Sequence, residues 1–283
     1  MLKRILTAAV LIPIVLALVW WGPPLLVAAA AAIVAAGALV EFFRLAERMG
    51  LRGFRKWTLA CAVGLFYAQY SLGAAEIHSY RFGEALIRRS AGIDVSIEAV
   101  LLVFLFGAAA IGLFTKRPLQ DVLPAIAVSS AGLVVIALPF SYLVRIDQVG
   151  SVGRQLVFLT LTLVWAGDVL AYFVGRFAGR LPMAPALSPK KTWEGAAANL
   201  LASLLVGAAF ARWLDLEVVG MLVVAGLANI AGQMGDLIES AYKRGAAVKD
   251  SGGLLPGHGG VLDRIDSLIF AAPVVWAAWL WMR

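Results

Sequence analysis

An all-α, polytopic integral membrane helix bundle of about nine transmembrane helices is the fold class this chain predicts, on three observations. Hydrophobic residues make up 62% of the 283 and charged residues only 14%, whereas a soluble domain is about a quarter charged. The apolar residues fall in charge-free runs close to the roughly 20 residues that cross about 30 Å of hydrocarbon. Those runs also lack the period-2 alternation of a barrel, so backbone N–H and C=O groups that lipid cannot satisfy must be paired within helices.

Taken in order, residues 5–40 carry no charge and are split by Gly22-Pro23-Pro24, which reads as a tight turn between two spans. Further runs cover 57–75, 99–115, 122–144, 155–177 (interrupted by Asp168 and Arg176), 195–211, 218–235 and 267–282. The opening Met-Leu-Lys-Arg and its apolar stretch also fit a signal peptide. The Gly-Pro-Pro turn leads straight into another apolar run, however, so the expectation is a retained span. The loop at 76–96 reads as solvated.

The chain holds 24 Lys and Arg against 17 Asp and Glu, a net +7. No basic tail or aromatic-interleaved basic strip suggests nucleic acid. Loop asymmetry accounts for the excess: with the N-terminus in the cytoplasm, segments 3–4, 44–56, 116–117, 176–191 and 243–264 hold seventeen of the 24 cations. The connections after the sixth and eighth spans then face the cytoplasm, as expected for a protein of the inner membrane. A single cysteine, Cys61, excludes an intramolecular disulfide, and with His78 and His258 it offers too few nitrogen and sulfur donors for a Cys/His zinc site. A metal here would be a hard ion held by oxygen.

Two regions follow. Residues 1–155, about five spans, place few polar groups inside their runs and carry no repeat; residues 156–283 put charged and amide groups within or at the ends of apolar spans, where an ion is costly unless paired, metal-bound or facing water. In the eighth span Asn229, Gln233, Asp236 and Ser240 step by four, three and four, giving one polar stripe flanked by Glu239. Hydrogen bonding between helices accounts for the two amides but poorly for Asp236, which is read as a ligand or metal residue.

Residues 240–260 then form a basic, helix-breaking loop with Lys243, Arg244 and Lys249 and five glycines ahead of Gly260, whose backbone can approach an anion closely. Its continuation sets Asp263, Asp266 and Ser267 at offsets of three and four on one face of the last span. A dipole role at the helix start is the plainer alternative for both acids. In the sixth span Asp168, Tyr172 and Arg176 step by four; Asp168 and Arg176 lie two turns, or about 12 Å, apart, too far for a direct pair. Ser188-Pro189 reads as N-cap and first residue of the seventh span, placing Lys190 and Lys191 in a first turn that disfavours cations unless a polyphosphate binds there. Snorkelling anchors are the alternative. Carboxylates, cations and glycine-rich backbone at one cytoplasmic mouth match a nucleoside triphosphate held through Mg2+ and reacting with a molecule of the bilayer. Positioning and charge neutralisation then carry most of the catalysis.

The run SAYKRGAAVKDSGGLLPGHGGVLDRID, residues 240–266, resembles the signature of phosphatidate cytidylyltransferases, or CDP-diacylglycerol synthases: Ser-x-x-Lys-Arg, four residues, Lys-Asp, then Pro-x-His-Gly-Gly-x-x-Asp-Arg-x-Asp. GDVLAYFVGRFAGR, SPKKTWEG and GQMGDLIES are similar to that family as well, so the match covers about residues 165–267. Ala247 departs from it where glycine is common, and Tyr242 where an aliphatic residue or Phe is usual. The resemblance implies CTP + phosphatidate → CDP-diacylglycerol + pyrophosphate with Mg2+ and a possible second metal ion, by attack of a phosphatidate phosphate oxygen on the α-phosphorus of CTP. That nucleophile is already anionic near neutrality, its second pKa being about 6, so no strong base is needed. By residue, it implies metal binding by Asp236 and Asp263, with Asp168, Glu239, Asp250 and Asp266 at or beside the metal. Lys249 and Asp250 join the catalytic set. Ser240, Lys190, Lys191, Lys243, Arg244, Arg264, Arg176 and His258 go to the phosphates of CTP or lipid. A homodimer is the assembly the family suggests.

Two rivals stay open. A CTP-dependent polyprenol kinase needs the same metal-bound nucleotide, but its neutral alcohol would want a base. An ion-coupled transporter also carries intramembrane Asp and broken helices, yet there is no inverted repeat and the acids cluster toward one face.

Overall fold

Helices make up most of the described chain, and some begin where a cap or a proline sets the start. The computed structural model describes residues 2–82, 95–254 and 259–282, with side chains for 9–72, 95–254 and 259–282. In chain order the rods are α1 (Leu2–Trp21), α2 (Pro24–Arg48), α3 (Arg55–Phe82), α4 (Ile97–Phe114), α5 (Leu119–Asp147), α6 (Gly153–Phe177), α7 (Trp193–Trp213), α8 (Val218–Gly245) and α9 (Leu262–Trp281). Pro24 opens α2, where its missing N–H costs nothing. Ser96 caps α4 by accepting from the Ala99 N–H, and Glu217 caps α8 from Val219 and Gly220.

Among the described residues seven helices, α2 and α4 through α9, are long and apolar enough to cross a membrane, and α1 adds only the shorter apolar stretch Ala9–Trp21. The expected nine spans are thus matched as helices in order and place, but not all as membrane-length segments. Helix α3 also runs past residue 75 to Phe82, into what the sequence suggested was loop. Apolar side chains point outward over much of the surface: Phe114 is 87% exposed and Phe106 70%. A water-soluble monomer does not sustain patches of that kind; lipid does.

Helix α5 contains a π turn at Gly132–Ala137. Pro139, one residue into the following α-helical stretch, has no N–H to give the carbonyl four residues back, and the ladder is reset there by the wider turn.

Two further corrections to local structure follow. Lys243 and Arg244, expected in the 240–260 loop, lie in the last turn of α8, which continues to Gly245 because nothing before that glycine interrupts the helix. The other lies before α7. Ser188–Thr192 is a strand, β2, paired antiparallel with β1 (Pro182–Ala184), with Ala184 opposite Ser188 and Pro182 opposite Thr192. Ser188-Pro189 therefore does not open the helix. Proline at 182, 185 and 189 pushes each preceding residue toward extended backbone, and the cap falls to Thr192, whose hydroxyl accepts from the Gly195 N–H. Lys190 and Lys191 consequently sit on a ribbon.

Helices α6, α7, α8 and α9 pack in sequence, and α9 also lies against α2 and α5. Small residues allow the approach: a Cβ on Gly167 would fall 1.9 Å from Asn199 Oδ1, and one on Gly235 would fall 2.4 Å from the Asp266 carbonyl oxygen.

Candidate active site

Helix α8 supplies the spine of the site. Its stripe divides as its chemistry suggests. Asn229 donates to Ser203 Oγ (2.7 Å) and to Asn199 Oδ1, Gln233 donates to Asn229 Oδ1 (2.7 Å), and Asn199 donates to Asp168 Oδ1 (3.4 Å). These amides tie α6, α7 and α8 together, the role expected of Asn229 and Gln233. One turn further on, the stripe becomes acidic.

Carboxylate oxygens of Asp236, Glu239 and Asp266 lie within 4.8 Å of one another. Asp266 reaches them from α9, with one oxygen accepting from the Ser267 N–H at 2.7 Å. Two lysines answer part of this charge: Lys191 Nζ is 2.6 Å from Asp236 Oδ2, while Lys243 contacts Glu239 and lies 2.7 Å from Asp263 Oδ1. Glu239 is only 3% exposed, and its Oε1 has no hydrogen-bond donor. A buried acceptor left open beside two more carboxylates is the donor set of a hard divalent cation. The residues present therefore fit a hard divalent cation, with Asp236, Glu239 and Asp266 able to hold it.

Asp263 is placed differently from Asp236. Lys243 occupies its Oδ1, and its Oδ2 accepts from the Gly260 N–H (2.8 Å), the Ser251 N–H (3.0 Å) and the Ser251 hydroxyl (3.0 Å). It adjoins the three-acid cluster through Lys243 and fastens the loop to the start of α9.

A cavity of about 310 Å³ opens from the cluster toward the strand pair, walled by Asp168, Tyr172, Lys190, Lys191, Asn199 and Asp236 among others. Asp236 belongs to both the cluster and the wall. Arg176 Nη1 donates to Tyr172 Oη at 2.7 Å; Tyr172 lines the cavity and Arg176 does not. Arg244 instead braces structure, donating to the Leu187 carbonyl (2.9 Å) at the ribbon and to the Val248 carbonyl (2.7 Å) in the loop. Ser240 is buried in α8, Arg264 is exposed at the start of α9, and Lys249 and Asp250 are exposed on the loop outside the three-acid cluster. His258 lies outside the described residues.

Three participants were missed: Asn199 and Ser203 of α7, and Glu41 of α2, which is fully buried yet accepts from the Ser251 hydroxyl (3.1 Å) and the Leu262 N–H (2.9 Å). The signal for Glu41 was present, an acid embedded in Leu-Val-Glu-Phe-Phe after a long charge-free run.

A family model described as the cytidylyltransferase family matches residues 2–281. The phosphatidate cytidylyltransferase of Brucella abortus is 36% identical over 235 residues, 79% of this chain and 83% of the relative. That of Bacillus subtilis is 32% identical over 186 residues, 65% and 66% of the two chains. That of Staphylococcus epidermidis is 41% identical over 127 residues, 44% and 49%.

Proposed function

The chain belongs to the cytidylyltransferase family, and from that premise we propose that the cleft between α6, α8 and the β1–β2 ribbon is where it transfers the cytidylyl group of CTP to phosphatidate, releasing pyrophosphate. The enzyme is a nucleotidyltransferase of lipid biosynthesis. The observation that carries the assignment of the site is the convergence of Asp236, Glu239 and Asp266 within 4.8 Å beside a lysine-lined cavity.

Asp236, Glu239 and Asp266, with Asp263 and Asp168 beside them, would hold one Mg2+ or two. A divalent ion there supplies Lewis-acid neutralisation of the triphosphate. Lys190 and Lys191 face the same cavity and bind nucleotide or lipid phosphates, and Arg176 with Tyr172 receives the headgroup at the rim. Lys243 holds Glu239 and Asp263 in register. The phosphatidate oxygen forms the new bond to the α-phosphorus as the bond to the β-phosphate oxygen breaks and pyrophosphate leaves, and the anionic nucleophile has no proton to give up, so no base is required of the protein. Lys249, Asp250, Arg244 and Arg264 line the approach, and His258 is a phosphate or backbone donor.

At the scale of the chain, the reading has nine spans, with residues 1–155 as scaffold and 156–283 as catalytic region. The cleft opens to the cytoplasmic face of the inner membrane, and the chain assembles as a homodimer. Supporting the orientation is the clustering of Lys190, Lys191, Lys243, Arg244 and Lys249 at one end of the bundle.

Purified protein in detergent, given CTP, Mg2+ and either phosphatidate or a polyprenol, tests the reaction. CDP-diacylglycerol with pyrophosphate is the expected product. A phosphorylated polyprenol with CDP would make the protein a kinase, and no product from either acceptor would return the transporter reading.

A further inference from the structure

The glycine-rich loop before α9 is moulded around a side chain from the other end of the sequence. Glu41 sits near the end of α2, 210 residues from Ser251 and 221 from Leu262, yet its Oε2 accepts from both the Ser251 hydroxyl and the Leu262 N–H. It is fully buried. A Cβ on Gly252 would lie 2.2 Å from Glu41 Oε1, and a Cβ on Gly260 would lie 2.4 Å from Glu41 Oε2 and 2.1 Å from Ser251 Oγ. Two of the loop's glycines thus make room for this carboxylate, whereas Gly253 meets nothing within 4 Å. The contacts continue into the site: Ser251 gives its N–H, and places its hydroxyl, against Asp263 Oδ2, while Asp263 Oδ1 holds Lys243, the partner of Glu239.

Resting on the transfer reaction above, we propose that Glu41 is a positioning residue for it, fixing the loop and the first turn of α9 so that Asp263, Lys243 and Glu239 stand in working register. The scaffold helices therefore set the geometry of the catalytic ones. An anion at the start of α9 is favoured by the unpaired N–H groups there. An amide at position 41 whose oxygen takes the place of Oε2 keeps both contacts, accepting from the Leu262 N–H and the Ser251 hydroxyl, with its NH2 where Oε1 lies.

The test compares Glu41→Ala, Glu41→Gln and Ser251→Ala with wild type in two assays. The first is CDP-diacylglycerol synthesis, with kcat and KM for phosphatidate measured separately. The second needs no activity: limited trypsin cleavage after Lys249, an exposed loop residue, quantified by mass spectrometry. Expected for Glu41→Ala is a kcat lower by roughly 10–100-fold, the range for residues that act by orienting a metal ligand, with KM within about twofold and cleavage at Lys249 at least about tenfold faster, the tracking of local opening by proteolysis. Glu41→Gln should stay near wild type in both, and Ser251→Ala should fall between. Wild-type kcat together with wild-type cleavage in Glu41→Ala overturns the proposal, as does failure of Glu41→Gln to recover. If Glu41→Ala does not fold, an unchanged Ser251→Ala overturns it. Inactive wild type would remove the transfer reading instead, and the cleavage pattern would still decide whether Glu41 anchors the loop.

Discussion

Asp236 and Asp263 look equivalent on paper, two acids of one motif region, and differ sharply in what surrounds them. Asp236 is 34% exposed and meets Lys191, itself 25% exposed, at the cavity wall. With the metal role proposed for it, Asp236→Asn should lower turnover by at least about 100-fold and leave the melting temperature in detergent within a degree or two. Asp263 is 9% exposed and takes donors from Lys243, Ser251 and Gly260. Removing its charge leaves Lys243 with Glu239 alone and weakens the Ser251 and Gly260 bonds, so Asp263→Asn should lose stability by roughly 1–3 kcal/mol as well as activity. Equal melting of the two variants would show that the loop is not fastened there. Ala247, the departure from the family's common glycine, has φ 54°. An L-residue pays about 1–2 kcal/mol for that region, so Ala247→Gly should raise the melting temperature by a few degrees with unchanged kcat.

At the scale of elements, the β1–β2 ribbon decides where the lysines go. Thr192 caps α7 and Arg244 ties the ribbon to the end of α8 through the Leu187 carbonyl. Loss of a cap costs about 1 kcal/mol, but the sharper consequence is positional. Arg244→Ala should raise the apparent KM for CTP several-fold because it frees the ribbon that carries Lys190 and Lys191, and it should do so at a stability cost of no more than about 2 kcal/mol, as for two lost hydrogen bonds. Lys191→Ala should raise the same KM roughly tenfold, the worth of one charged hydrogen bond. An unaltered KM in both would take the ribbon out of the nucleotide site. In the amide ladder, Asn229→Leu takes one partner from each of Gln233, Asn199 and Ser203, leaving them the Ala196 carbonyl, Asp168 and the Leu163 carbonyl respectively. Hydrogen bonds between membrane helices are worth about 0.6–2 kcal/mol each, and the loss should appear as lower detergent stability.

For the whole molecule the testable quantity is orientation. Cys61 is the single cysteine, so Cys61→Ala followed by Lys249→Cys or Arg212→Cys gives two chains with one thiol each, near opposite ends of α8. A membrane-impermeant maleimide applied to right-side-out and inverted vesicles should label position 249 only from the cytoplasmic side and position 212 only from the other. Labelling of 249 from the outer side would invert the topology and remove the site from the compartment that holds CTP.

Much of the molecule was legible in the order of its residues, because spans and their ends are local matters. A charge-free run of sufficient length must become a helix wherever it lies, and offsets of three and four put Asn229, Gln233, Asp236 and Ser240 on one side of α8 with no further information. The lysine ribbon was not legible, since Ser188 and Thr192 are both competent caps and the choice turned on pairing with Pro182–Ala184. Nor was the difference between Asp236 and Asp263, which rests on Ser251 and Gly260 folding back, nor the part played by Glu41, which lies more than 200 residues from its partners. One-dimensional order determines which residues share a helix face. Only the packing of α2 against α9 could decide which buried carboxylate meets a loop and which is left open for a cation, because that depends on distances across the bundle for which spacing along the chain carries no measure.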